Sequence, residues 1–187
     1  MKKQFLTICC FLTLAVTSFS CKKVYDDNSL APLDQSYVSI PVTVTNANFF
    51  ERYYVVVANA PTATDNGSFT INFSIPADKG KIREITKVAT GTSGLAQVQT
   101  GAASTLYNFN GTTGYTVTAG NGTNTISYTS NLAAYRTYQT RVGTTLAPIP
   151  ATVSATPQAP NQINFFFLIT LEDGTTVIPP LVRVRVI

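Results

Sequence analysis

The chain has 187 residues, a formal net charge of +4, three cysteines and no histidine. Without histidine a Ser-His-Asp triad, an imidazole general base and most zinc sites are excluded. The basic residues are scattered, with Lys79, Lys81, Arg83 and Lys87 the one local group, so the clustered basic face of a nucleic-acid binder is excluded as well.

At the start, Lys2 and Lys3 precede an apolar run from Phe5 to Val16, and Ser18 and Ser20 place small residues before Cys21. This pattern predicts a secretory leader over residues 1–20. The apolar run falls short of the roughly 20 residues that span a bilayer, which argues against a transmembrane anchor. Ser18-Phe19-Ser20-Cys21 resembles the lipobox of bacterial lipoproteins, and Cys21-Lys22-Lys23 with Asp26-Asp27 behind it is similar to leaders of Bacteroidota lipoproteins. The match is to a relaxed lipobox, since Ser18 stands where the family has Leu and Phe19 is bulkier than its usual Ala or Ser.

The resemblance implies cleavage between Ser20 and Cys21 and a covalent lipid on the Cys21 sulfur, with membrane lipid as the first partner and no other cofactor. Two or more acyl chains hold a protein at a bilayer for long times, where one holds it marginally. In the family an Asp directly after the cysteine retains a lipoprotein at the inner membrane. Lys22 stands there instead, which implies the outer membrane and leaves the periplasmic or surface leaflet open. Cys9 and Cys10 leave with the leader, so no disulfide is available within the mature chain, and stability must come from a packed core.

Residues 21–35 are polar, contain Pro32 and show no period, which suits a tether. A single domain is then expected over 36–187. Tyr37 to Thr45 alternates, with Val38, Ile40, Val42 and Val44 on one face. Arg52 to Ala58 is β-branched and aromatic, as in a strand buried on both sides. Phe69, Ile71, Phe73 and Ile75 alternate with Thr70, Asn72 and Ser74. Ile82 to Val88 has a helix-like spacing, but its β-branched content favours a strand.

From Val88 to Tyr135, and again from Val142 to Leu171, there is no charged residue. The aromatic and β-branched content of the first stretch argues against disorder. Asn66-Gly67, Asn110-Gly111 and Asn121-Gly122 carry the signature of two-residue hairpins. A meander with strands over 104–109, 114–119 and 123–129 is expected, with residues 91–125 either within a sheet or inserted as a separate meander. Leu132 to Val142, with Tyr138 six positions after Leu132, resembles the tyrosine-corner region of fibronectin type III domains.

The closing segments make the clearest pair. Ile163, Phe165, Phe167, Ile169 and Leu171 share one face, Glu172-Asp173-Gly174 turns, and Val182, Val184 and Val186 alternate with Arg183 and Arg185. Pro179 and Pro180 cannot donate to a ladder, so the returning strand is expected either to pair fully only after them or to run along an edge there. The proline-rich connection from Leu146 to Pro160 must return the chain to an existing sheet, as in a Greek key. The expected fold is therefore all-β: an antiparallel two-sheet Ig-like sandwich with Greek-key connections.

No constellation for catalysis emerges. Asp26-Asp27 lies in the tether, Glu172-Asp173 in a turn, and Asp34, Glu51, Asp65, Asp78 and Glu84 are scattered. Asp65-Asn66-Gly67-Ser68 lacks the spacing of a calcium loop. The expected function is a lipid-anchored, non-catalytic envelope protein acting as a structural or protein-interaction module, with the Val182 to Ile187 strand as a candidate edge for strand addition. The alternative is a surface glycan-binding lipoprotein. Its candidate ligand residues are Tyr107, Asn108, Phe109, Asn110 and Tyr115, with a second aromatic and amide group at Asn46, Asn48, Phe49, Phe50, Tyr53 and Tyr54. Against that alternative, alternating aromatics fill cores and asparagines make turns.

Overall fold

The computed structural model describes residues 40–187 except 51, 93 and 113. The leader, Ser20, Cys21, the tether and Val38 lie outside the described residues. In chain order the elements are β1 (Thr43–Val44), β2 (Asn48–Phe50), β3 (Tyr53–Ala58), β4 (Ser68–Ser74), β5 (Ile82–Thr90), α1 (Gly94–Thr100), β6 (Thr118–Ala119), β7 (Thr125–Asn131), α2 (Leu132–Val142), β8 (Gln162–Leu171), β9 (Thr176–Val177) and β10 (Val182–Val186).

The strands form two sheets. The smaller runs β1-β4-β7 and the larger β2-β3-β10-β8-β5-β6, with β9 also on β8. Alternation sets which face each strand buries. From the small sheet come Phe69, Ile71, Phe73, Ile126 and Tyr128; from the large one come Ile163, Phe165, Phe167, Ile169, Val182 and Val184. Across the interface Phe73 meets Phe167 at 4.8 Å and Phe69 meets Phe165 at 5.3 Å, both centroid to centroid. Burying each such ring contributes about 1.5–3 kcal/mol. The body is thus mostly β, two sheets packed face to face around one core.

β5 explains its own ambiguous spacing. Ile82, Ile85 and Val88 are all buried, three residues apart, which a regular strand cannot do. Register shifts between Ile82 and Glu84 and between Ile85 and Lys87 insert the extra residue each time. The period of three therefore belongs to a twice-bulged strand.

Several expectations are corrected. The large sheet is not purely antiparallel, because β10 pairs with β3 in parallel, Arg183 opposite Val55 and Arg185 opposite Val57. Its other neighbour is β8, so Val182–Val186 is an interior strand and offers no free edge. Half-exposed alternation fixes the faces of a strand and says nothing of its backbone neighbours. The proline break holds as expected: β9 pairs with Ile169 and Thr170, and β10 resumes beyond Pro179 and Pro180 against residues 162–165. Nor is β3 buried on both sides throughout, since Val57 is exposed.

The expected meander does not form. Residues 103–105 make a 3-10 turn, Phe109 and Tyr115 make one isolated bridge, β6 joins β5 and β7 joins β4 in the other sheet. The cause is turn chemistry. Gly67, Gly111 and Gly122 have φ of 70°, 80° and 74°, but none of the preceding asparagines has positive φ, as a type I′ hairpin requires. Asn110 Oδ1 instead accepts from Thr112 N–H at 3.0 Å and Asn121 Oδ1 from Thr123 N–H at 3.2 Å, closing local turns that set no strand register.

Residues 132–142 are a helix rather than a tyrosine corner. Asn131 caps it, its Oδ1 accepting from Ala134 N–H at 2.7 Å, and Gly143 ends it at φ 79°. Leu132, Tyr135 and Tyr138 are buried at helical spacing. The helix staples two charge-free loops to the body. Arg141 Nη2 donates to Leu106 O at 2.7 Å, and Arg136 Nη2 donates to Ala151 O at 3.1 Å. The segment between β5 and β6 caps the outer face of β5 and β8, with Val98 of α1 and Leu106 packed against Ala89, Phe166 and Leu168.

Candidate functional site

Of the five expected ligand residues, four turn their polar atoms or rings toward the protein. Tyr107 lies edge-on to Tyr138 and Phe165, and its hydroxyl is 2.8 Å from Ser130 Oγ. Burial pushes its phenol up to about 12. Asn108 bonds β5 as a strand would: Oδ1 accepts from Val88 N–H at 2.9 Å, and Nδ2 donates to Thr86 O at 3.1 Å and to Thr116 O at 2.7 Å. Phe109 pairs with Tyr115 and lies under the Arg141 guanidinium, 5.1 Å from its carbon. Tyr115 packs on the cap cluster. Asn110 is exposed, and its carbonyl oxygen closes the turn.

The second aromatic group is more open. In the β2–β3 hairpin Phe50 pairs with Tyr53 and Phe49 with Tyr54, around a turn in which Arg52 has φ 71°. Phe49 and Phe50 are 66% and 54% exposed. Asn46 is engaged otherwise: Nδ2 donates to Thr70 O at 2.8 Å and Oδ1 accepts from Asn72 N–H at 2.9 Å, extending the edge of β4.

The structure adds two residues that sequence reasoning placed only on the polar face of a strand. Arg183 lies over Tyr53, 3.5 Å from guanidinium carbon to ring centroid, and Arg185 lies 5.8 Å from the centroid of Phe50. Both Nε atoms are buried without a hydrogen-bond partner. The ion pairs among the described residues are Lys79–Asp78 and Arg83–Glu84, so neither arginine has a carboxylate partner there. Cross-strand register puts Asn164 beside Arg183 and Gln162 beside Arg185. The helical cap lies over β5 and the far half of β8, leaving this face of β2, β3 and β10 with the arginines half-exposed and Val57 exposed. Only the spacing of Arg183 and Arg185 was visible in the sequence. Their aromatic supports come from a distant hairpin.

Two concavities lie elsewhere on the body. One, of about 80 Å³, is bordered by Thr90, Tyr135, Ile149, Gln162 and Asn164. Thr90 Oγ1 and Gln162 Oε1 are buried there without partners, and the volume suits a molecule no larger than a few waters. The other is an open groove of about 400 Å³ between the 61–66 loop and α2. Its polar groups are engaged locally: Asp65 Oδ1 accepts from Gly67 N–H, and Thr62 Oγ1 accepts from Asp65 N–H. Among the described residues no three His, Cys, Asp or Glu side chains gather as a metal site. No helix among them is long and apolar enough to cross a membrane.

What the arginine face can do chemically is bind anions. A guanidinium stacked on a ring keeps its terminal N–H groups free for a carboxylate fork. Compared with known proteins, the chain matches no family model, no curated protein and no solved structure.

Proposed function

We propose that this chain is a lipid-anchored, non-catalytic envelope protein that works as an interaction module, tethered through Cys21 and presenting the β2–β3–β10 face to a partner. One observation carries the reading: Arg183 is stacked on Tyr53 and Arg185 lies within cation–π reach of Phe50, with no carboxylate among the described residues to neutralise them. Buried or half-buried charge is costly unless paired, so a fold that retains two such cations on one face has a use for them. The leader pattern ending in Ser20-Cys21 supports lipid anchorage, and Lys22 directly after the cysteine supports the outer membrane as its place.

We read the body as an Ig-like sandwich with Greek-key connections, supported by a chain that passes from sheet to sheet between β1 and β2, β3 and β4, β4 and β5, β6 and β7, and β7 and β8. A surface glycan receptor is the second reading, favoured by the exposed Phe49 and Phe50 on one hairpin.

The test is made in native envelopes. Intact-mass analysis should show a diacylglycerol thioether on Cys21, and photo-crosslinking from the Val57 position of the full chain should capture one discrete protein. An unmodified thiol with the leader intact would remove the anchor. Binding to a glycan array with no protein crosslink would move the reading to the glycan receptor.

A further inference from the structure

We propose that the Arg183–Arg185 face docks an extended acidic segment of a protein partner, with carboxylates at alternate residues. This deepens the interaction-module reading and rests on it. Three observations select this ligand from other anions.

The first is spacing. Arg183 and Arg185 are two residues apart on β10, so their attachment points are about 6.6–6.8 Å apart on the same face. Side chains at alternate positions of any extended peptide repeat at that same distance. Two forks in series therefore match two carboxylates in series, each pair bidentate.

The second is the state of the aromatic rings. A sugar binds by laying its apolar face on an open ring, but Arg183 already covers the Tyr53 ring at 3.5 Å. The Tyr53 ring holds the Arg183 guanidinium flat and pre-oriented, which leaves the charge rather than that ring for the ligand.

The third is charge. Neither cation has a carboxylate partner among the described residues, and the Nε atom of each is buried without a hydrogen-bond partner. Two arginines are few for adsorption to an anionic bilayer, which gains strength from clusters of four or more basic residues. Gln162 and Asn164 stand beside them in register on β8, so the strand next to the arginines carries no charge of either sign.

The experiment uses the full chain in detergent at low salt and follows labelled short peptides by fluorescence anisotropy. One peptide carries glutamates at alternate positions between valines and threonines; an isomer of the same composition carries them contiguously. The alternating peptide should bind at least tenfold tighter than the isomer, lose that binding in 0.5 M salt, and lose it in R183Q/R185Q protein with an unchanged circular dichroism spectrum. In R183E/R185E the preference should reverse toward a peptide with alternating lysines. Should the glutamine variant misfold, R183K/R185K keeps the charge without the fork and should weaken binding at least threefold.

Equal binding of the two isomers, or none at millimolar peptide, would overturn the proposal. So would tighter arginine-dependent binding of polygalacturonate or of phosphatidylglycerol vesicles. If R183Q/R185Q still captures the envelope partner by photo-crosslinking, this inference falls while the interaction-module reading stands.

Discussion

Asn108 Oδ1 accepts the Val88 N–H at 2.9 Å while its Nδ2 donates to the Thr86 carbonyl, so one side chain closes two backbone groups on the outer edge of β5. β6 covers the neighbouring stretch at Glu84 and Ile85, and Tyr107 N–H donates to Val88 O at 2.7 Å. Asn46 repeats the device on β4, reaching Thr70 O and Asn72 N–H. An amide placed this way stands in for a strand and leaves no open ladder for another chain.

Removing the Asn108 clamp should therefore cost more than an ordinary surface change. Asn108→Ala loses three hydrogen bonds and leaves partly buried backbone groups unpaired, an expected loss of about 2–3 kcal/mol in urea unfolding. Asn46→Ala, at an exposed position, should cost about 1 kcal/mol. Equal costs would mean that the clamp on β5 is no more buried than that on β4.

Phe167 is fully buried and meets both Phe73 and Tyr128. Phe167→Ala should destabilise the fold by about 3–5 kcal/mol, through lost burial and the cavity left behind. Phe50→Ala, exposed on the hairpin, should stay within about 0.5 kcal/mol. Paired denaturation curves check both.

Gly94 starts α1, where alanine is the better helix former by about 1 kcal/mol. A Cβ there would stand 2.1 Å from Phe166 Cδ2 in the cap cluster. Gly94→Ala should accordingly destabilise, by about 1–3 kcal/mol from overpacking, against the sign that propensity gives. A rise in melting temperature would show that Phe166 swings aside freely.

Stability should vary little with pH near neutrality, since there is no histidine to titrate. Burial raises the phenols of Tyr107, Tyr128, Tyr135 and Tyr138, with Tyr107 moved from 10.0 to about 12. Each folded-state value lies above the unfolded one, so above pH 10 the unfolded chain holds fewer protons and alkali favours it. The stabilisation is complete below pH 10 and falls as pH rises through about 12. Tyr107→Phe should soften that alkaline transition, measured by tyrosinate absorbance alongside circular dichroism.

The parts legible in the sequence are those fixed by local alternation: Phe69 to Ile75, Ile163 to Leu171, and Val182 to Val186. What alternation cannot carry is which backbone lies beside which. Val182–Val186 reads identically as an edge or as the interior strand it is, because edge status depends on β3, which comes much earlier in the chain. Ile82 to Val88 kept its helical spacing because bulges, invisible to a strict period of two, restore its inward face.

In the sequence, Leu132 to Tyr135 suggests one helical turn, and the structure extends it to a helix over 132–142. Leu132, Tyr135, Gln139 and Val142 step by three and four between a capping Asn131 and a closing Gly143, while Thr137 and Thr140, poor helix formers, mask that period. At the candidate site, Arg183 and Arg185 were visible only as the polar half of an alternation. Their meaning depends on Phe50 and Tyr53, which only tertiary structure brings beneath them.

The parallel seam between β3 and β10 also constrains how the molecule assembles. The β2–β3 hairpin forms early in the chain, but its place in the large sheet waits for residues 182–186 to arrive and wedge between it and β8. Until then β3 keeps a bare flank in every nascent or trimmed copy, and the search that closes it is slow because the contacts are so distant in sequence.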